Sequence, residues 1–261
     1  MTTPDAMAGI VLAAGAGTRL RPLTSHRPKA LCPVANQPLL DHALDRIGVL
    51  AADVAVNVHH GRDQMLAHLE GLDLHASVEE DEALGTAGGV ANLVGWIDGR
   101  DVAVVNVDAW GTGSLGRLLD GWSRETVRLL VVADTTAADF EGHWRFAGAS
   151  LMPFELVHGL APEPSGLYEV LWRDLEQQGR LELVPSRGLE IDCGTPRDYL
   201  IANLIASGGS SVIAPDAIIE GRVERSVVWP GARVGAHEHL RYAIRLPDGS
   251  TVNVPGASAE S

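Results

Sequence analysis

Lysine is almost absent from this 261-residue sequence: of the 20 basic residues only Lys29 is a lysine. Where arginine supplies all other positive charge, a single ammonium points to a site that wants a compact point donor. Cysteine is scarce too. Cys32 and Cys193 stand far apart and form neither a CxxC pair nor a zinc spacing, which excludes a disulfide framework and leaves two free thiols of a reducing cytoplasm. Long apolar runs are missing, and no basic segment precedes the short apolar stretch near the N-terminus, so neither a membrane span of ~18 apolar residues nor an export signal is expected. Acidic residues outnumber basic ones, 34 to 20, for a net charge of −14. That balance excludes general binding to nucleic acid or to an anionic membrane, both of which need a broad basic surface. The acids also have a gap: none falls between Asp5 and Asp41, where Arg19, Arg21, Arg27, Lys29 and His26 cluster. A cationic window in an acidic protein reads as a local anion site.

What is present is an alternation of short apolar runs and amphipathic stretches. Strands are expected over Gly9 to Ala14, Val54 to Val58, Leu74 to Val78, Val102 to Val107 and Leu129 to Ala133, each rich in Val, Ile, Leu or Ala. Helical spacing falls between them, over Leu39 to Leu50, Arg62 to Leu69, Ala87 to Val94 and Leu115 to Trp122. The order predicts an α/β domain with a mostly parallel sheet flanked by helices. From Trp144 the pattern becomes extended, with helices expected around Phe154 to Leu160, Leu167 to Gln178 and Pro196 to Ala206. Gly208-Gly209 then breaks the chain, placing a catalytic domain at 1–208 and an extension at 209–261. In that extension branched residues recur six apart, Ile213 with Ile219 and Val228 with Val234, like hexapeptide rungs of a left-handed β-helix. The repeat offers little more than one coil, whereas a self-standing solenoid needs about three. A short β flap packed on the catalytic domain or on a second subunit, as in a homo-oligomer, is the expectation.

The first strand runs into LAAGAGTRLRPLTSHRPKALCPV, Leu12 to Val34. Gly15 and Gly17 let backbone N–H groups approach a phosphate, Thr18 adds a hydroxyl donor, and Arg19 adds a planar fork for phosphate oxygens. Asp108 follows a buried strand, at the sheet edge where open α/β folds bind ligands. Asp192 precedes Gly194-Thr195-Pro196, a turn into a helix. Two carboxylates from distant segments, completed by triphosphate oxygens and water, suit Mg²⁺.

The string GxGTRLxPLTxxxPKxLxPV resembles the signature of sugar-1-phosphate nucleotidyltransferases, and the likeness runs through most of the first 208 residues. EEDEALGTAGGVANL (Glu79 to Leu93) looks like the base-binding segment, VVNVDAW (Val104 to Trp110) the strand-end metal motif, FAGASLMP (Phe146 to Pro153) the sugar strand, and EIDCGTPRDYLIAN (Glu190 to Asn203) the second metal motif. The resemblance implies a Rossmann-like fold and a reaction of nucleoside triphosphate with sugar 1-phosphate that needs Mg²⁺. It implies that Leu12, Ala13, Ala14, Gly15, Gly17, Thr18, Glu80, Gly85 and Thr86 contact the nucleotide. Arg19 and Lys29 would be catalytic, Gly148 and Asp108 would face the sugar, and Asp108 and Asp192 would hold the metal.

The sequence departs from the family in three places. Val107 stands where relatives commonly have Gly, the Glu-Lys-Pro motif for the sugar phosphate is absent, and Asp134 to Phe146 is shorter than usual. These bring it nearer to short members such as muramate-1-phosphate uridylyltransferases. For the base, a carboxylate at Glu80 can accept two adjacent donors, as guanine N1–H and N2–H₂ offer, so GTP with mannose 1-phosphate is the first expectation. The alternatives are a UTP-dependent muramate-type enzyme and a non-catalytic subunit that binds nucleotide sugars.

Overall fold

The computed structural model describes residues 7–255. The chain forms two compact units, the first running to Ala16 and resuming over Leu40–Glu190, the second made of Gly17–Leu39 and the chain from Ile191 onward.

The first unit is built on a seven-stranded sheet. Its strands are β1 (Met7–Leu12), β2 (Asp53–Val58), β3 (His75–Val78), β4 (Asp101–Asn106), β5 (Val127–Ala133), β6 (Trp144–Met152) and β7 (Leu181–Pro185), in the order β7-β5-β6-β4-β1-β2-β3. All pairings are parallel except those of β6, which runs antiparallel to both β4 and β5. The central β1, MAGIVL, is buried along its whole length, which is why it reads as a continuous apolar run with no alternation. Helix α1 (Leu39–Ile47) buries Leu39, Leu40, Ala43 and Ile47 on one stripe and carries Asp41 in its first turn, where the helix dipole favours an acid. Helices α2 (Arg62–Leu69) and α3 (Gly85–Ala91) follow β2 and β3. Ile10, Leu12, Val90, Leu93, Val104, Val131, Phe140 and Trp172 share one apolar cluster.

Helix α1 ends at Ile47 rather than at Leu50, and three more helical expectations come out shorter or altered. Leu115 to Trp122 is a 3₁₀ turn over Leu115–Leu119, and Phe154 to Leu160 is helical only to Val157. The stretch from Leu167 becomes a π turn, Tyr168–Trp172, that continues as an α-turn over Arg173–Gln177. Glycines at 116, 121 and 159 interrupt or end the first two, a cost that apolar spacing alone does not register.

The second unit holds helix α4 (Pro196–Ala206), begun by Thr195, whose Oγ1 accepts from the Asp198 amide, and by Pro196 in the first turn. Beyond it the extension coils further than its rungs suggest. Strands β8 (Val212–Ile213), β11 (Val227–Val228) and β14 (Ala243–Arg245) stack in parallel on one face, and β9 (Ile218–Ile219) with β12 (Arg233–Val234) form a second. The third face pairs β10 (Arg222–Glu224) with β13 (His239–Arg241). Val228, Val234, Leu240 and Ala243 fill the interior. Strand β15 (Thr251–Asn253) turns back antiparallel on β14, covering an edge that would otherwise offer unpaired amides.

Candidate functional site

In the first unit, register brings the motif ends to one edge of the sheet. Leu12 pairs with Asn57 on one side and Asn106 on the other, so Ala13, His59 and Asp108 all leave their strands at the carboxyl edge. The Val107 amide donates to the Leu12 carbonyl at 3.1 Å and the Val107 side chain is buried. The next residues are anchored from below. Arg46 of α1 donates to the Ala109 carbonyl at 2.6 Å and to Glu190 at 2.7 Å, and Glu190 also accepts from the Ser186 hydroxyl. Burial pushes the Glu190 carboxyl above its ordinary range, and the Arg46 guanidinium opposes that shift.

Gly148 of β6 has φ +78, and a β-carbon there would collide with the Ala109 side chain. Only glycine fits beside the Asp108–Ala109 turn at this point.

The base segment follows β3. Glu80 is exposed and engaged by both terminal nitrogens of Arg62, at 2.5 and 2.7 Å, which holds its carboxyl below the usual range. Glu79, its neighbour, is buried; it accepts from Asn57 at 2.7 Å and from the Leu84 amide at 2.8 Å. Asn57 in turn accepts from the Ala13 amide at 2.6 Å. Gly85 opens α3, and the Thr86 hydroxyl accepts from the Leu167 amide at 2.8 Å. His59 Nδ1 bonds the Glu79 carbonyl and His60 Nδ1 the Ala14 carbonyl, at 2.7 and 2.9 Å.

The cationic stretch belongs to the second unit. It runs through three 3₁₀ turns, Thr18–Leu20, Leu23–Ser25 and Lys29–Leu31, separated by prolines that break any longer helix. Helix α4 and the extension grip it. Tyr199 donates to the Pro33 carbonyl and accepts from the Trp229 indole at 3.0 Å. The Arg27 guanidinium lies 4.6 Å from the Trp229 ring, Asn203 accepts from the Ala35 amide, and Asn36 donates to the Ile213 carbonyl. His26 sits 3.4 Å from Asp248. Cys32 is buried and its thiol is pushed up to about 12, burial outweighing the nearby Arg27 and Lys29 charges.

Arg19 and Asp192 meet at 3.4 Å, both substantially exposed, with Thr18 also exposed beside them. A β-carbon at Gly194 would fall 2.8 Å from Asp192 Oδ1 and from Arg19 Nη2, so the glycine keeps this approach open. A carboxylate beside an uncrowded backbone is the hard oxygen donor that Mg²⁺ takes, and Asp108, at the strand edge of the first unit, is another. Among the described residues, no group of three or more His, Cys, Asp or Glu side chains gathers as a metal site. No helix of the described residues is long and apolar enough to cross a membrane.

Sequence reasoning passed over Asn57, Glu79, Arg46, Glu190, Tyr199 and Trp229. Asn57 had a signal, a polar residue ending the buried run VAVN.

A mostly parallel sheet with its glycine loop and strand-end Asp at the carboxyl edge defines a nucleotide-handling α/β enzyme. Residues 9–177 match the MobA-like NTP transferase domain, and the chain belongs to that family. It is a sugar-phosphate nucleotidyltransferase by kinship. Over 227 residues it is 33% identical to the N-acetylmuramate alpha-1-phosphate uridylyltransferase of Caulobacter vibrioides, covering 74% of this chain and 94% of that protein. It is 36% identical over 116 residues to the mannose-1-phosphate guanylyltransferase of Mycobacterium tuberculosis, covering 42% of this chain and 32% of that one. In fold it is similar to a Bacillus anthracis chain solved with sucrose and provisionally named a glucose-1-phosphate thymidylyltransferase. There the TM-score is 0.64 at 19% identity, covering 77% of this chain and 95% of that one.

Proposed function

We propose that the enzyme transfers a uridylyl group from UTP to the 1-phosphate of an N-acetylmuramate-type sugar, releasing pyrophosphate. A sugar-phosphate oxygen attacks the α-phosphorus; the new P–O bond forms as the bond to the β-phosphate oxygen breaks. The nucleophile is already an anion and needs no strong base, so catalysis rests on positioning and on charge neutralisation. The backbone from Leu12 to Gly17 and the Thr18 hydroxyl cradle the triphosphate. Arg19 faces the leaving phosphates and Lys29 the α-phosphate. Asp108 and Asp192 would hold Mg²⁺, which would neutralise charge on the triphosphate. Arg19 lies 3.4 Å from the Asp192 carboxylate. Gly148 gives the Asp108–Ala109 turn room to pack on β6, and the sugar binds beside that turn.

The observation that carries the choice of base is the Arg62 fork on Glu80. The guanine reading needs both Glu80 oxygens turned to the base, and in the structure each one accepts from Arg62 instead. Likeness to the uridylyltransferase, at 33% identity over 94% of its length, supports the same choice. Initial rates with UTP and GTP, in wild type and Glu80→Gln, test it. UTP should be preferred at least tenfold, with the preference unmoved by the substitution. A GTP preference that weakens by ~1 to 3 kcal/mol in Glu80→Gln, the cost of one lost buried pairing, would return the assignment to guanine and a mannose-type sugar.

A further inference from the structure

Four groups of the first unit form an unbroken chain: the Ala13 amide, the Asn57 side chain, the Glu79 carboxylate and the Leu84 amide. Asn57 is 2% and Glu79 3% exposed. Buried polar groups at this depth are retained where their hydrogen bonds are complete. Here they join two places far apart in sequence, the start of the glycine loop and the turn that opens α3.

The ends of this chain fix its polarity. Both are backbone N–H groups, which only donate. Asn57 must therefore turn its carbonyl to Ala13, leaving its NH₂ to face Glu79, and Glu79 must offer an oxygen to Asn57 and another to Leu84. One amide and one carboxylate satisfy every contact. Two amides would oppose two donors at Leu84, and two carboxylates would oppose two acceptors in the middle. Neighbouring groups hold the same segments: His59 donates from Nδ1 to the Glu79 carbonyl, and His60 from Nδ1 to that of Ala14. Gly89 of α3 makes room for the chain, since a β-carbon there would lie 2.8 Å from Asn57 Nδ2 and 3.2 Å from Glu79 Oε1.

We propose that Asn57 and Glu79 are positioning residues, a one-way hydrogen-bond relay that sets the spacing between the triphosphate loop and the base segment. This rests on the reading of Ala13–Gly17 and Gly85–Thr86 as nucleotide contacts. A triphosphate spans both segments, so a relay that loosens should cost nucleotide affinity while sparing the sugar phosphate.

Glu79→Gln places a donor against the Leu84 amide, and Asn57→Asp places an acceptor against Glu79. The double variant Asn57→Asp, Glu79→Gln restores every donor–acceptor match, with the charge moved to the loop end. Calorimetric titration of each with UTP and with GTP in Mg²⁺ requires neither sugar nor turnover. Each single variant should bind the triphosphate at least tenfold more weakly, with KM for sugar 1-phosphate within twofold of wild type, and the double variant should recover to within threefold. If a single variant does not fold, Gly89→Ala replaces it, pressing a methyl group on the relay without deleting either member, and the same split is expected. Singles that lower thermal stability but bind triphosphate like wild type, or a double no better than either single, would overturn the relay alone. A wild type that binds neither triphosphate would overturn the proposed function together with it.

Discussion

Arg46 and Glu190 bury opposite charges beneath the turn that carries Asp108, with side chains 10% and 2% exposed. Removing one partner of such a pair strands the other, at a cost of ~3 to 5 kcal/mol. Arg46→Leu should lose stability of that order in urea unfolding at pH 7. The pH dependence has a definite sign. The folded Glu190 carboxyl is already shifted upward by burial, and losing Arg46 raises it further. A raised carboxyl favours the folded state below its unfolded pKa, and that benefit is lost as pH rises through the folded pKa. The deficit of the variant should therefore shrink as pH falls from 7 toward 4.5. A deficit that is constant or grows in acid would mean that Glu190 is not the stranded charge. Asp108 is a different case: Asp108→Asn should abolish most turnover in Mg²⁺ while the melting temperature stays near wild type. A variant with near wild-type rates would remove Asp108 from the metal site.

At the scale of elements, the C-terminal coil acts as the scaffold of the cationic loop within its unit. Trp229 is fully buried, donates to Tyr199 and stacks under Arg27, so two of its interactions end on the loop or on the residue that holds it. Trp229→Phe removes the indole donor, for about 1 kcal/mol, whereas Trp229→Ala also opens a cavity and should cost ~3 to 5 kcal/mol. Thermal unfolding and KM for triphosphate, measured on both, separate packing from loop placement. The alanine variant should show the larger rise in KM, and unchanged KM in both would detach the coil from the loop. Much of this unit was legible in the sequence. Thr195-Pro196 opened α4 and Gly208-Gly209 closed it, at the residues expected, because caps and breakers are local chemistry. The third tier of the coil was not legible. Its residues, HLRYAIRL, carry none of the Gly and Pro punctuation of the first rungs, and they are placed by long-range pairing, Val223 with Leu240 and Val227 with Ile244.

For the molecule as a whole, the sheet and its functional edge could be read because buried parallel strands write themselves as apolar runs, and strand ends then place Ala13 and Asp108 together. The acid run after β3 was harder. Alternation through Ala76 and Val78 would turn Glu80 inward, yet Ser77 and Glu79 are the buried pair. Asn57 decides this, by offering Glu79 a buried donor that no local pattern announces. Uridylyl transfer is tested most directly by pyrophosphate release over a grid of UTP, GTP, dTTP and ATP against N-acetylmuramate, N-acetylglucosamine, mannose and glucose 1-phosphates in Mg²⁺. Release should require both substrates and be fastest with UTP and the N-acetylmuramate ester. No release with any pair, from a folded protein that binds nucleotide sugars, would contradict it.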